Sequence, residues 1–225
     1  MESNHKIALV TGANSGIGNA LAKKLIAENY FVIGTSRNGK IENISSENLF
    51  VVELDLTDQN SIEKANLTIR NRFKGIDFLV NNAGIGPDLG KIKPNLESLK
   101  STFETNVFGL VSFTESVLDF VNENGKILNI SSIMATFNQV SKVDSAAYRM
   151  SKAALNMYTK TLSARLKDKN INVNSIHPGW VQTKLSTEGA PLTAEFSANG
   201  LFKLMTTEME TGTFWNAEFQ EIMTW

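Results

Sequence analysis

Short apolar runs alternate with amphipathic stretches along the whole chain. Ile7-Ala8-Leu9-Val10, Phe31-Val32-Ile33-Gly34-Thr35 and Leu49-Phe50-Val51-Val52-Glu53-Leu54 are three of them. Ile76-Asp77-Phe78-Leu79-Val80, Lys126-Ile127-Leu128-Asn129-Ile130 and Ile171-Asn172-Val173-Asn174-Ser175-Ile176 are three more. The first, apolar throughout, suits a strand buried on both faces, as in a parallel sheet, and the others read as further strands. After the first run, Ile17, Leu21, Leu25 and Ile26 form one stripe at helical spacing. Helical patterns also cover about 58–73, 96–121 and 146–168, with a weaker one over Leu192 to Met209. Thr57 or Asp58 is placed to cap the helix at 58–73. The polar segment 38–48 is too short and irregular for a crossover helix, and Thr213-Phe214-Trp215 reads as a final short strand. Strands alternating with helices predict an α/β fold.

Composition narrows the class. The 225 residues fit one large domain or two small ones, and 42% hydrophobic content supports a substantial core. With 22 basic and 23 acidic residues the net charge is −1, which gives no nucleic-acid footprint and no polybasic membrane patch. The absence of cysteine excludes disulfides, a thiol nucleophile and cysteine-based metal sites. The polar start Met1-Glu2-Ser3-Asn4-His5-Lys6 does not read as a signal peptide, and no apolar run approaches the ~18 residues of a membrane span. These features predict a cytoplasmic protein with no metal site.

The chemistry gathers at strand ends. The first strand runs into Thr11-Gly12-Ala13-Asn14-Ser15-Gly16-Ile17-Gly18 and then a helix. Strand, glycine-rich turn and helix start make a phosphate cradle, because the backbone can approach a pyrophosphate and the helix end offers free N–H groups. A purely structural turn is the alternative. The second strand ends in Ser36-Arg37, where an acidic residue would bind the ribose of NAD; Arg37 instead suits the 2′-phosphate of NADP, or is a solvated surface charge. Asn81-Asn82-Ala83-Gly84 closes the fourth strand and suits close approach of a ligand. The loop 85–95 carries Gly86, Pro87, Gly90 and Pro94; the loop 133–145, with Met134, Phe137 and Val140, is apolar enough to line a pocket.

Tyr148 and Lys152 sit four residues apart at the start of the helix at 146–168, so a phenol and an ammonium share one face. A neighbouring cation would lower the tyrosine pKa towards the range of an acid/base catalyst; a surface pair is the alternative. Asn106 falls mid-helix, where its propensity is poor, and reads either as an amide bonded to backbone or solvent or as a site residue. Ser131-Ser132 is a turn signal or a site pair. His177, before Pro178, reads as structural, and Trp180 as core or substrate contact.

In this order and spacing the residues resemble the short-chain dehydrogenase/reductase family over essentially the whole chain. The elements are Thr11 to Gly18, Asp55-Leu56, Asn81 to Gly84, Asn106, Ser132, Tyr148-x-x-x-Lys152 and Pro178-Gly179 with Thr183. Tyr-Arg-x-Ser-Lys, followed by His-Pro-Gly-Trp-Val-x-Thr, is most similar to the C-factor and carbonyl-reductase-like (sniffer) branch. The resemblance implies one Rossmann-type domain over 1–225, a doubly wound parallel sheet with helices on both faces, and a substrate-loop region at about 184–210. It implies an NADP-dependent oxidoreductase, with NAD as an alternative, interconverting a small carbonyl and an alcohol. Tyr148 would be the general acid or base, Lys152 would lower its pKa and bind the nicotinamide ribose, Ser132 would bond the substrate oxygen, and Asn106 would hold a water linking Lys152 to solvent. Gly12, Asn14, Ser15, Gly16, Ile17 and Gly18 would cradle the pyrophosphate, Arg37, Asp55 and Leu56 the adenosine end. Asn82, Ala83 and Gly84 would pass the ribose, and Pro178, Gly179, Val181 and Thr183 the nicotinamide. A homodimer or homotetramer is implied through the helices at 96–121 and 146–168. A cofactor-binding signalling or scaffold protein with little turnover is the second reading, and a lyase or epimerase the third.

Overall fold

The structure is a computed structural model that describes residues 5–139, 143–186 and 189–225. Val140 of the expected pocket loop, part of the 184–210 region and the first four residues lie outside these. The described residues form an eight-stranded sheet in the order β3-β2-β1-β4-β5-β6-β7-β8. The strands are β1 (Ile7–Val10), β2 (Phe31–Ser36), β3 (Leu49–Glu53), β4 (Ile76–Asn81), β5 (Val121–Ile130), β6 (Asn172–His177), β7 (Phe214–Asn216) and β8 (Glu221–Met223). All neighbours are parallel except β7 and β8. The helices are α1 (Gly16–Ala27), α2 (Gln59–Arg72), α3 (Leu96–Phe103), α4 (Leu110–Val117), α5 (Ala146–Arg165) and α6 (Ala194–Thr206). This is the expected Rossmann-type arrangement.

Strand side chains alternate between two cores. In β1, Ala8 and Val10 join the layer under α1 and α6 with Leu21, Leu25 and Leu201, whereas Leu9 joins the layer under α2, α4 and α5 with Ile62, Phe113 and Leu162. Leu128 and Ile130 of β5 face the first layer and Ile127 the second. Burying each of the larger side chains, Val, Leu, Ile or Phe, contributes about 1.5–3 kcal/mol. No helix among the described residues is long and apolar enough to cross a membrane.

Three boundaries differ from the pattern reading. The expected helix over 96–121 is interrupted: a π-helical turn, Glu104–Gly109, separates α3 from α4, and the strand β5 already begins at Val121. Its register against β4 shifts between Ile76 and Phe78, and Asn124 takes a left-handed φ of 62° in that irregular stretch. The tail adds β8, antiparallel to β7, which the sequence pattern does not announce. Between β2 and β3 there is no helix, as expected.

The strand order reverses between β1 and β4, so the connections leave in opposite directions there and open a crevice at the strands' carboxyl ends. Gly12, Asn82, Ser132 and Pro178 each follow a strand at that edge.

Candidate active site

A cleft of about 1160 Å³ opens along this edge. Its lining includes Gly12, Asn14, Ser15, Gly16, Ile17, Arg37, Asp55, Leu56, Asn82, Ala83 and Gly84 at one end and middle. Ser132, Tyr148, Lys152, Pro178, Gly179, Val181 and Thr183 complete it. Of the positions expected in the site, Gly18 and Asn106 do not line it.

At the first end the cradle is open backbone. Gly12 takes φ +67°, and a Cβ there would stand 3.1 Å from Ala83 Cα, so the turn needs glycine for both conformation and space. Gly12 N–H donates to Thr35 Oγ1, and Asn82 Nδ2 donates to Thr11 O at 2.8 Å, which ties the turn to β2 and β4. Asn82 therefore braces the cradle from behind. Gly18 belongs to that brace too: a Cβ would lie 2.4 Å from Asn82 Nδ2 and 2.5 Å from Gly12 O. Gly18 thus packs against the back of the turn.

Ser15, at the N-cap of α1, makes no side-chain cap bond, whereas α2, α3 and α6 are capped by Asp58, Asn95 and Thr193. The first N–H groups of α1 thus keep their hydrogen-bonding capacity and positive dipole end free for an anion. Arg37 is exposed at the same end, and Asp55 accepts from Thr57 N–H and Thr57 Oγ1, shaping the turn beside Leu56.

At the other end the groups are enclosed. Tyr148 and Lys152 are both buried in the first two turns of α5. Lys152 Nζ donates to Ile130 O at 2.8 Å and sits 5.7 Å from the Tyr148 ring centroid. Burial pushes the Tyr148 phenol up to about 12, with its contact to the Ser132 hydroxyl pulling the other way. Burial also holds Lys152 down to about 8. Burial thus moves the tyrosine in the opposite direction from the lowering expected of a neighbouring lysine. Ser132 caps a short 3₁₀ turn, Ile133–Ala135, by accepting from Met134 N–H at 3.1 Å. Ser131 instead donates to Asn156 Oδ1 at 2.6 Å, so the second serine of the pair is the one left towards the phenol.

Asn106 lies in the π turn and is fully buried. Its Oδ1 accepts from Ile85 N–H and its Nδ2 donates to Ile85 O and to Ser151 Oγ, all within 3.1 Å. Both amide protons are used, so the side chain acts as a clamp on Ile85, the backbone-bonding alternative of the sequence reading. A Cβ at Gly84 would meet Asn106 Oδ1 at 3.2 Å and Lys152 Nζ at 3.5 Å, which places the clamp beside the lysine.

Of two further residues of the site, His177 keeps the structural role read from the sequence and Asp88 escapes sequence reasoning. His177 lines the cleft, and its Nδ1 accepts from Ile133 N–H at 3.3 Å; burial holds its pKa down to about 4, so the ring is neutral and fixes the turn that carries Ser132. Asp88, fully buried, accepts from the N–H groups of Ala147 and Tyr148 at 2.7 and 3.2 Å. Only the hint of a helix starting Ala-Ala-Tyr, without an acid in its first turn, could have pointed to it.

Residues 6–191 match the short chain dehydrogenase family. The chain is 34% identical over 191 residues to the 3-oxoacyl-(acyl-carrier-protein) reductase FabG of Aquifex aeolicus, spanning 80% of this chain and 76% of that protein. Among solved structures it is similar to the NADPH-bound carbonyl reductase from chicken fatty liver, with a TM-score of 0.90, 28% identity and coverage of 100% of this chain and 96% of that one. It is also similar to the carbonyl reductase Sniffer of D. melanogaster, with a TM-score of 0.89, 27% identity and coverage of 98% and 99%. Fold, cleft and sequence agree: the chain belongs to the short-chain dehydrogenase/reductase family of oxidoreductases.

Proposed function

We propose that this oxidoreductase reduces a small carbonyl to an alcohol with NADPH, and that Tyr148 is its general acid. The observation that carries the reading is one continuous cleft with an uncapped helix N-terminus at one end and Tyr148, Ser132 and Lys152 at the other. The residues fit a dinucleotide. Gly12 and the free N–H groups of α1 suit a pyrophosphate, and exposed Arg37 suits a 2′-phosphate. Likeness to a carbonyl reductase that binds NADPH supports the same choice. The nicotinamide, when bound, supplies the hydride.

The protein's part is the proton and the oxygen. A phenol held at about 12 is protonated at neutral pH, which is the form a general acid needs in carbonyl reduction. Ser132 Oγ stands beside the phenol, placed to donate to the substrate oxygen as it gains charge. Lys152, near 8, exchanges protons close to neutral pH and forms a proton store next to Tyr148. Asn106 holds Ile85 and so fixes the wall beside Lys152.

The test is a titration of the purified protein with NADPH and NADH, followed by a carbonyl panel with the tighter cofactor. NADPH should bind more tightly, Arg37→Ala should erase most of that preference, and at least one carbonyl should turn over. Binding without turnover on any carbonyl would overturn the reading in favour of a cofactor-binding signalling or scaffold role.

A further inference from the structure

Helix α5 starts in an unusual way. A serine at the N-cap normally takes an extended backbone and turns its hydroxyl onto the second or third N–H of the helix. Ser145 occupies that position but sits in the left-handed region, at φ 61° and ψ 36°, and makes no cap bond. Its hydroxyl faces the other way, accepting from Gly90 N–H at 2.9 Å, and its own N–H donates to Lys91 O at 3.0 Å. The N–H groups that a cap would serve, those of Ala147 and Tyr148, go to the two carboxylate oxygens of Asp88. A carboxylate from 59 residues upstream thus replaces the local cap.

Asp88 sits within the stretch that forms the cleft wall. Ile85, Leu89 and Gly90 line the cleft, and Ile85 is held by Asn106. A Cβ at Gly86 would come within 3.1 Å of Tyr148 Cδ2, so the wall lies directly on the tyrosine ring. The ion pair of Arg149 with Asp144 at 3.6 Å braces the same turn.

We propose that Asp88 is a positioning residue for Tyr148: its buried carboxylate latches the substrate-side wall, 85–91, onto the N-terminus of α5 and so fixes the backbone from which the phenol projects. This rests on Tyr148 being the general acid. The latch is also a specificity device, because the wall and the acid are held as one piece; a substrate that displaces the wall displaces the acid with it.

The experiment compares wild type with Asp88→Ala, Asp88→Asn and Asp58→Ala on a carbonyl found in the panel, with Tyr148→Phe as reference. Asp58 caps α2 outside the cleft, so its loss lowers Tm and leaves kcat unchanged. Asp88→Ala should lower kcat at least tenfold while the NADPH Kd stays within twofold. It should also move the alkaline limb of the rate profile to lower pH, as water reaches the phenol. Asp88→Asn keeps one acceptor oxygen and sets its amide donor against the second N–H, so its kcat should fall between the two. If Asp88→Ala does not fold, the Asn variant decides alone. Wild-type kcat and an unmoved alkaline limb in Asp88→Asn and in any folded Asp88→Ala, with Tyr148→Phe inactive, would overturn the latch and leave the general acid standing. An active Tyr148→Phe would overturn both.

Discussion

Two helix N-termini face the same cleft and are treated in opposite ways. Helix α1 opens with Ser15 extended, at φ −157° and ψ 169°, in the geometry of a capping residue, yet its hydroxyl caps nothing. Helix α5 opens with Ser145 in a conformation that prevents local capping, yet its N–H groups are filled by Asp88. The physics of the two ends is identical: unpaired donors and a partial positive charge. Leaving the end open makes a place for an anion. Closing it with a buried carboxylate gives up that place and gains a fixed backbone. The first suits a ligand that comes and goes, the second a side chain that must stay.

The largest effect expected is a double dissociation between these ends. Tyr148→Phe removes the proposed proton donor and should lower carbonyl turnover by about 10²–10⁴-fold, the usual range for a general acid, with the NADPH Kd unchanged. Gly12→Val forces a β-branched residue to φ +67° and drives its Cβ onto Ala83. It should weaken NADPH by roughly 100-fold or more, because the cradle cannot keep its turn. Fluorescence titration alongside single-turnover rates separates the two. If Gly12→Val bound cofactor normally, the open end would not be the anion site.

The enclosed end also predicts a pH effect on stability. His177 has its pKa held near 4 by burial, against 6.5 in the unfolded chain. Between these values the unfolded state binds the extra proton, so stability is intact above about pH 6.5 and falls as the pH drops towards 4. The loss is at most about 3.5 kcal/mol, since each pH unit between the two values is worth about 1.4 kcal/mol. Thermal melts of wild type and His177→Gln over pH 4–7 should differ in slope, with the variant flatter. Equal slopes would mean that the ring is not the group that charges. The open end, built of backbone and exposed groups, should contribute little to this slope.

Much of this arrangement is legible in the chain. Doubly buried parallel strands tend to appear as apolar runs, as β1 does, and β2 to β6 also stand out in the pattern, although β6 carries polar residues among its apolar ones; the glycine turn is visible because only glycine meets its backbone demands. What is hidden is non-local or one residue long. Periodicity over 96–121 cannot register the inserted residue of the π turn, although Asn106, a poor helix former, marks where it falls. Gly18 has the spacing of a cradle glycine, but only the folded chain shows that it backs onto Asn82. Asp88 lies unmarked in the loop 85–95 beside Pro87, since its partners are 59 and 60 positions away. The chemistry of Tyr148 and Lys152 is legible as a pair. The direction in which the tyrosine pKa moves is not, because a sequence does not show how much water the pair has lost.

The smallest effect is the sharpest probe of the contrast, because it converts the open end into a closed one. Ser15 is exposed, already extended and makes no cap bond. Ser15→Asp would place a carboxylate over the free N–H groups of α1, as Asp88 does for α5. Capping and dipole together should stabilise the protein by about 0.5–1 kcal/mol, which for a chain of this size raises Tm by about 1–4 °C. The same charge would repel a pyrophosphate and occupy its donors, so the NADPH Kd should rise at least tenfold, while kcat at saturating cofactor stays near wild type. Stability and affinity would then move in opposite directions from one substitution. A variant that gained stability without losing affinity would show that the open N-terminus of α1 is merely uncapped. A variant that lost affinity as predicted would show that the missing cap is what leaves room for the cofactor's phosphates.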